Sequence, residues 1–454
     1  MTDPVAASGV GDAEGAGPST GEGVTGRAST PTATDAAASV TPATGVTATE
    51  NEAQAVDAAH MGLHHHGDVE ARGMRDYAVN VAVATPPAFL RDALASALDG
   101  LAAYPDPAPA TARLAAHLGV PEERVLLTNG AAEAFHLVAR LRPWRRPVVV
   151  HPQFTEPEAA LRTAGLVPYR HILPAPGFAL DADTLDAGPD AEADLVVLGN
   201  PTNPTSRLHP VAEILRLRRP GRLVVVDEAF LDVVPREQDT ALRHAASGEG
   251  LLVVRSLTKT FGLAGVRAGF LVAEPEIVAA CAALQPHWSV NSLALAAVEA
   301  ICSADGVAHT ADVTARLSAD RPHLVEGLTA LGLEVCGPAA APFVLARHPR
   351  AAELRTRLRE RGIAVRRGDT FPGLDGEYVR IAVRGPQETD VLLAALADLL
   401  GGGTDDAQDD ALPGAQDDHR GDPQHDPAGG TAGTPGDATP PPGTTTPGDD
   451  REDR

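Results

Sequence analysis

The sequence predicts an α/β fold with a large domain on a mostly parallel sheet and a smaller α+β domain after it. Short β-branched and leucine-rich runs alternate with helical stretches rich in Ala, Leu and Arg, which is the pattern of a parallel sheet covered by helices. The longer runs are apolar at every position, as expected for strands buried on both faces. The predicted strands are residues 125–127, 148–150, 195–198, 223–226, 251–254 and 270–272.

The pattern changes in the last third of the chain. Residues 284–301 predict one long helix, and the mixed region that follows contains strands near residues 343–345 and 379–383. We therefore predict a large domain at residues 61–290, which includes an amino-terminal substrate segment, and a small domain at residues 291–400.

Both ends of the chain differ in composition from its centre. Residues 1–60 are rich in Ala, Gly and Thr and carry a net charge of -7, whereas residues 401–454 are rich in Asp, Gly and Pro and carry -10. Such segments hold too little apolar surface to offset the entropy of ordering the chain. We predict that both are disordered tails. The other 340 residues carry only -7 of the total of -24, which argues against a nucleic-acid partner.

Other features exclude several classes of protein. No apolar run approaches the roughly 20 residues of a membrane span, and the first residues lack the basic-then-apolar order of a secretion signal. Cys281, Cys302 and Cys336 are too scattered for a disulfide framework or paired metal ligands. The three adjacent imidazoles of residues 64–66 point in different directions, so we predict no metal. We expect a soluble cytoplasmic protein without a membrane partner.

Polar residues follow several of the predicted strands, at the edge of a parallel sheet where ligands bind. Residues 128–133 (TNGAAE) open a helix whose free N–H groups could hold a phosphate. Residues 199–205 (GNPTNPT) form a rigid turn that is either structural or presents an amide to a ligand. Asp227 ends an apolar run, where a buried acid without a cationic partner is costly. These positions are the candidates for a ligand site.

Lys259 is the only lysine in the chain, and the other 36 basic residues are arginine. It follows the run at residues 251–254, lies between two threonines and precedes Arg267 by eight residues. A guanidinium cannot serve as a primary amine nucleophile, whereas a lysine with a lowered pKa can. The cofactor that requires a Schiff-base lysine, a phosphate cup and an acid on its ring nitrogen is pyridoxal 5'-phosphate (PLP). We predict that the protein binds PLP.

With these motifs, residues 61–400 resemble the fold-type-I PLP enzymes of the aspartate-aminotransferase superfamily. The two most similar branches are threonine-phosphate decarboxylase of cobalamin biosynthesis and histidinol-phosphate aminotransferase. The segment DEAFLD around Asp227 resembles the decarboxylase motif, whereas the aminotransferase usually has a tyrosine at the position of Phe230. The decarboxylase is also similar at residues 255–259, 288–291 and 371–375.

The resemblance implies a role for each residue on the cofactor side. Lys259 would bind the cofactor covalently and transfer protons, and Asp227 would keep the ring nitrogen protonated. Asn203 would bond the ring's phenolic oxygen and also contact substrate, and Phe154 would stack on the ring. The cofactor phosphate would be held by Ala131, Ala132, Ser256 or Thr258, Arg267 and, from a second subunit, Tyr104. The last role implies a homodimer.

On the substrate side, Arg380 and Arg366 resemble the pair that binds the substrate carboxylate. His65 and Asn80 lie in segments similar to the decarboxylase's phosphate-binding motifs. The resemblance therefore implies a small phosphorylated amino acid as substrate. The chain departs from those motifs at His66, Ala78, Ala82, Val83 and Thr85.

Three functions are compatible with the sequence. We predict decarboxylation of L-threonine O-3-phosphate to aminopropanol phosphate, with a histidinol-phosphate-type aminotransferase as the alternative. A noncatalytic regulatory protein with the same fold is a third, but the retained Lys259 argues for chemistry. The angle at which Arg366 and Arg380 hold the substrate carboxylate decides between C–C and C–H cleavage.

Overall fold

The computed structural model describes residues 63, 70–235 and 240–401. The predicted tails at residues 1–60 and 401–454 lie outside the described residues, apart from Gly401, and so does His65. In chain order the strands are β1 (Arg75–Tyr77), β2 (Val125–Asn129), β3 (Pro147–His151), β4 (Tyr169–Ile172), β5 (Leu195–Gly199), β6 (Leu223–Asp227), β7 (Leu251–Ser256), β8 (Ala268–Val272), β9 (Glu334–Val335), β10 (Phe343–Arg347), β11 (Ile363–Arg367) and β12 (Tyr378–Ala382).

Helices connect most of these strands. They are α1 (Ala88–Ala97), α2 (Ala108–Leu118), α3 (Gly130–Arg140), α4 (Glu156–Thr163), α5 (Ala182–Ala187), α6 (Val211–Arg216), α7 (Leu242–Ala245), α8 (Pro275–Leu284), α9 (Ser292–Ile301), α10 (Ala304–Ala330), α11 (Ala351–Glu360) and α12 (Pro386–Gly401). Among the described residues no single helix is long and apolar enough to cross a membrane, and the one pair that meets the length and composition together, α9 with α10, is bent by 76°.

Seven strands form the larger sheet, in the order β2-β8-β7-β6-β5-β3-β4. Strand β8 is antiparallel to both of its neighbours, and the other pairs are parallel. Side chains of β5 alternate between two apolar cores: Leu195 and Val197 pack with α3, and Val196 and Leu198 with α6 and α9. The prediction of a sheet buried on both faces is confirmed, and all six predicted runs are strands.

The smaller sheet has five strands in the order β1-β11-β12-β10-β9. Its first strand comes from the amino-terminal part of the chain, where β1 pairs in parallel with β11. The sequence placed residues 61–290 together in the large domain, but this pairing puts residues 75–77 in the second sheet. A contact across nearly 290 residues leaves no local pattern in the sequence. The boundary near residue 290 stays a prediction.

The long helix predicted at residues 284–301 is wrong. Helix α8 ends at Leu284, and α9 begins at Ser292. Pro286 lacks a backbone N–H and cannot continue a helix. Asn291 then caps α9, because its side-chain oxygen accepts a hydrogen bond from the N–H of Ala294 at 2.9 Å. The helix therefore begins eight residues later than predicted, at Ser292, and ends at Ile301 as predicted.

Candidate active site

A cavity of about 390 Å³ lies where β5, β6 and β7 end, between the larger sheet and strands β11 and β12. Among the described residues, it is lined by every predicted site residue except Tyr104. These lining residues are Asn80, Ala131, Ala132, Phe154, Asn203, Asp227, Ser256, Thr258, Lys259, Arg267, Arg366 and Arg380. The structure therefore brings together, from both sheets, residues that are up to 300 positions apart in the chain.

Asp227 and Lys259 face this cavity from neighbouring parallel strands. Asp227 is the last residue of β6, and Lys259 comes three residues after β7 ends. Burial raises the pKa of the Asp227 carboxyl to about 6, against the opposing effects of a hydrogen bond from the N–H of Ala229 at 3.0 Å and of the Lys259 charge. A buried carboxyl with a raised pKa gains from a cationic N–H partner, which a protonated ring nitrogen would supply.

A cup suited to an anion lies at the start of α3. In the first turn of a helix the N–H groups, here of Ala131 and Ala132, have no carbonyl one turn back, and the helix dipole places partial positive charge there. Gly130 has φ 74°, and a Cβ at this position would collide with the guanidinium of Arg267. The hydroxyls of Ser256 and Thr258, 2.7 Å apart, also line the cavity. These groups fit a phosphate.

One residue beside this cup had no predicted role. The carboxylate of Glu133 accepts hydrogen bonds from the N–H of Asn129 at 2.7 Å, from Gln285 Nε2 at 2.9 Å and from the Ser289 hydroxyl. It ties the start of α3 to the turn after α8. An acid in the first turn of a helix is the signal that could have identified it.

The opposite side of the cavity carries two buried arginines. Arg366 and Arg380 are direct cross-strand partners on β11 and β12. Arg380 donates hydrogen bonds to the side-chain oxygen of Asn203 and to the carbonyl of Ala78, both neutral acceptors. Burial lowers the pKa of Arg366 to about 10, and burial together with the neighbouring Arg366 charge lowers the pKa of Arg380 well below its usual value. A ligand carboxylate would offset this repulsion and desolvation.

Further residues complete the substrate side. Asn80 is buried, and its side-chain oxygen has no hydrogen-bond partner among the described residues. Phe371, in a loop that the sequence singled out only as a motif, lies 5.1 Å from the Arg366 guanidinium and lines the cavity. Glu156 also lines it and contacts His136 Nε2 at 3.3 Å. Glu156 is the first residue of α4, where acidic residues are common, so the sequence did not mark it as a site residue.

Tyr104 is the predicted site residue that the structure places outside this cavity. Tyr104 lies on the surface, 76% exposed, with its ring stacked on Trp288 at 4.3 Å between centroids. Its contact with the cofactor of a second subunit stays a prediction, because the structure holds one chain. His65 lies outside the described residues. Within the described ranges there is no group of three or more His, Cys, Asp or Glu side chains placed to hold a metal ion.

Residues 76–396 match the family described as aminotransferase class I and II. The chain belongs to this family. Membership of the aminotransferase class I and II family confirms the predicted resemblance, the aspartate-aminotransferase-like fold and PLP as the cofactor.

Members of both predicted branches of the aminotransferase family are similar to the chain. A histidinol-phosphate aminotransferase of Mycobacterium tuberculosis is 46% identical over 338 residues, which is 74% of this chain and 90% of that protein. A threonine-phosphate decarboxylase of a Sinorhizobium species is 37% identical over 252 residues, which is 54% of this chain and 69% of that protein. The crystal structure of the Sinorhizobium meliloti histidinol-phosphate aminotransferase with PLP shares the fold, with a TM-score of 0.64, 22% identity, and coverage of 72% of this chain and 90% of that one.

Proposed function

We propose that the protein is a PLP-dependent aminotransferase of the histidinol-phosphate type, which exchanges an amino group between a phosphorylated amine and a 2-oxo acid. The observation that carries this proposal is the 46% identity over 338 residues to a histidinol-phosphate aminotransferase, against 37% over 252 residues to the decarboxylase. The comparisons therefore favour the alternative over the decarboxylase, which the sequence motifs had placed first.

The residues of the cavity suit this reaction. When bound, PLP accepts the electron pair that is released at the α-carbon of the substrate. Lys259, as the only lysine, supplies the amine that holds the cofactor and moves the proton at that carbon. Asp227 keeps a proton on the ring nitrogen, because a buried carboxylate stabilises a cation beside it far more than water would.

The two arginines bind the acceptor. A 2-oxo acid such as 2-oxoglutarate carries a carboxylate next to its carbonyl, and a guanidinium binds a carboxylate through two parallel hydrogen bonds. Arg380 and Arg366 lie side by side at the end of the cavity formed by the smaller sheet. An incoming carboxylate would replace the neutral oxygens of Asn203 and Ala78 as the acceptors of Arg380.

One observation supports decarboxylation of L-threonine O-3-phosphate as a second candidate. Phe230 is buried and lines the cavity. Because the aminotransferase branch usually has a tyrosine here, this chain lacks that hydroxyl group in the site. The arginine pair would hold the carboxylate of an amino-acid substrate as readily as that of a 2-oxo acid.

The two reactions differ in what they consume and release. We would incubate the purified full chain with histidinol phosphate and 2-oxoglutarate and measure glutamate. In parallel, L-threonine O-3-phosphate without any 2-oxo acid would be assayed for CO2. We expect glutamate in the first assay and no CO2 in the second. The Lys259→Arg variant is the control and should be inactive in both. Release of CO2 from phosphothreonine without glutamate formation in the first assay would replace our proposal with the decarboxylase.

We also propose that the enzyme works as a homodimer. The exposed stack of Tyr104 on Trp288 supports it, because large aromatic side chains on a surface are typical of protein interfaces. Sedimentation analysis of the parent and of Tyr104→Ala would test it. A parent protein that sediments as a monomer would contradict this proposal.

A further inference from the structure

Residues 76–82, which we call the strap, begin with the last two residues of β1 and continue past the cavity without regular secondary structure from residue 78 onward. Ala78, Val79 and Asn80 of the strap line the cavity. The N–H of Ala82 donates a hydrogen bond to the carbonyl of Lys259 at 2.9 Å. The strap therefore spans from the smaller sheet to the lysine that binds the cofactor.

An irregular segment needs partners for its backbone groups other than those of a helix or sheet. On the N–H side, the carboxylate of Asp76 accepts hydrogen bonds from Ala78 and Val79, each at 2.8 Å. On the carbonyl side the partner is Arg384, which lies between β12 and α12. Its guanidinium donates to the carbonyls of Asp76 at 3.0 Å and of Val79 at 2.8 Å, and more weakly to that of Val81 at 3.5 Å.

Arg384 and Arg380 reach the strap from the same stretch of chain, four residues apart. Arg380 donates to the carbonyl of Ala78, and a substrate carboxylate would compete for that guanidinium. Arg384 does not line the cavity. When Arg380 exchanges Ala78 for a carboxylate, the bonds of Arg384 still hold the strap carbonyls of Asp76 and Val79.

Asn80 is the strap residue that depends on this arrangement. The backbone of Asn80 lies between Val79 and Val81, and Arg384 donates hydrogen bonds to the carbonyls of both. Asn80 as a whole is 5% exposed, and its side-chain oxygen has no hydrogen-bond partner in the described part of the chain. A buried polar atom of this kind favours a ligand that supplies the missing hydrogen bond.

We propose that Arg384 is a positioning residue that holds the strap so that Asn80 contacts the substrate. It sets substrate affinity through Asn80 and takes no part in bond breaking. The proposal rests on the proposed function in one respect, namely that the cavity binds an amine substrate. It holds for either reaction.

Arg384→Met tests this role, because it removes the guanidinium and keeps an apolar stem of similar length. Arg222→Met is a matched control. Arg222 also donates to the carbonyls of three residues, Ala193, Leu217 and Ala191, but lies away from the cavity. If Arg384→Met does not fold, Arg384→Lys keeps the charge and offers fewer of the same bonds.

The first measurement is amide hydrogen exchange on the full-length, PLP-loaded chain. We expect exchange in residues 76–82 to become at least about tenfold faster in Arg384→Met, since the free energy of opening falls by about one hydrogen bond. We expect no change there in Arg222→Met. Unchanged exchange of the strap in Arg384→Met, or equal acceleration in both variants, would overturn the proposal.

The second measurement is a double-mutant cycle on substrate binding. Histidinol phosphate is titrated into the parent, Asn80→Ala, Arg384→Met and the double variant, and the absorbance of the bound cofactor is followed. We expect Arg384→Met to raise Kd about tenfold, equivalent to about 1.4 kcal/mol, with kcat within about threefold of the parent's. Asn80→Ala should then add little in the double variant.

Additive losses in that cycle would show that Arg384 does not act through Asn80, and would overturn the proposal. A parent protein that neither binds nor converts histidinol phosphate would instead contradict the aminotransferase function. In that case the double-mutant cycle would be measured with L-threonine O-3-phosphate instead. The hydrogen-exchange measurement needs no substrate, so it tests the role of Arg384 whichever reaction the enzyme catalyses.

Discussion

The cofactor side of the cavity and its substrate side are built from different kinds of structure. On the cofactor side, Asp227, Ser256 and Lys259 lie within a few residues of the ends of parallel strands in the larger sheet. On the substrate side, Asn80 belongs to an irregular segment, and Arg366 and Arg380 come from strands of the smaller sheet. Local sequence determines the first arrangement, whereas contacts between distant parts of the chain determine the second. Changes on the two sides should therefore have different effects, on cofactor chemistry and on substrate affinity.

The largest expected effect is that of Lys259→Arg. The variant should lose all covalently held cofactor, because an arginine cannot form the bond and the chain has no other lysine. The visible absorbance of the purified protein and borohydride reduction with peptide mapping measure this. With the N-terminal amine blocked, any cofactor still attached after reduction would contradict the assignment of Lys259.

Asp227→Asn should have the second-largest effect. The fold should remain, but turnover should fall by about 100-fold or more, the order of magnitude lost with a single electrostatic group in an active site. Cofactor binding should weaken by about 1.5 to 3 kcal/mol, the contribution of a charge-assisted hydrogen bond. Steady-state assays at saturating PLP separate the two effects. Turnover within twofold of the parent would show that Asp227 is only structural.

The same variant should also change how the stability of the cofactor-free protein depends on pH. Burial raises the pKa of Asp227 from 3.8 to about 6, so the folded state binds this proton more tightly than the unfolded chain. Its contribution to stability is complete below about pH 4 and is lost as the pH rises through 6. Relative to Asp227→Asn, the parent should lose about 2 kcal/mol of unfolding free energy between pH 4 and 7. A constant difference in urea unfolding would contradict this.

On the substrate side, Arg380→Ala should raise KM for 2-oxoglutarate by about 10- to 100-fold, the loss of a charged hydrogen bond pair. It should weaken phosphothreonine and unphosphorylated threonine alike, since both carry the same carboxylate. Covalent attachment of the cofactor should be unchanged. Arg347→Ala, which removes a surface arginine from neighbouring β10, is the matched control. Selective loss of only the phosphorylated ligand would contradict a carboxylate role.

Asn80→Ala should have the smallest effect and the sharpest selectivity. We expect phosphothreonine to bind about tenfold more weakly, one hydrogen bond's contribution, and unphosphorylated threonine to bind as before. Competition against the parent's preferred amine measures both affinities. Equal losses for the two ligands would separate Asn80 from phosphate recognition.

The two sides also differed in how well the sequence predicted them. The cofactor side could be located because most of its groups lie at or just after the end of an apolar strand, and because one lysine stood out among arginines. The sequence missed β4, whose four residues (YRHI) are mostly exposed at the sheet edge and lack an apolar pattern. It also missed the pairing of β1 with β11, and the roles of Glu133, Glu156 and Phe371. These depend on neighbours that only the folded chain brings together.

The pairing of Arg366 with Arg380 has a consequence for which insertions the chain tolerates. Val365, Val379 and Ile381, the residues adjacent to the two arginines, face the apolar core of the smaller sheet. Because successive side chains of a strand point to opposite faces, adding or deleting one residue in β11 or β12 would turn an arginine into that core and a valine or isoleucine into the cavity. Length changes in these strands should therefore abolish folding and carboxylate binding together, whereas the turn at residues 368–377 can vary in length without altering which face each arginine occupies.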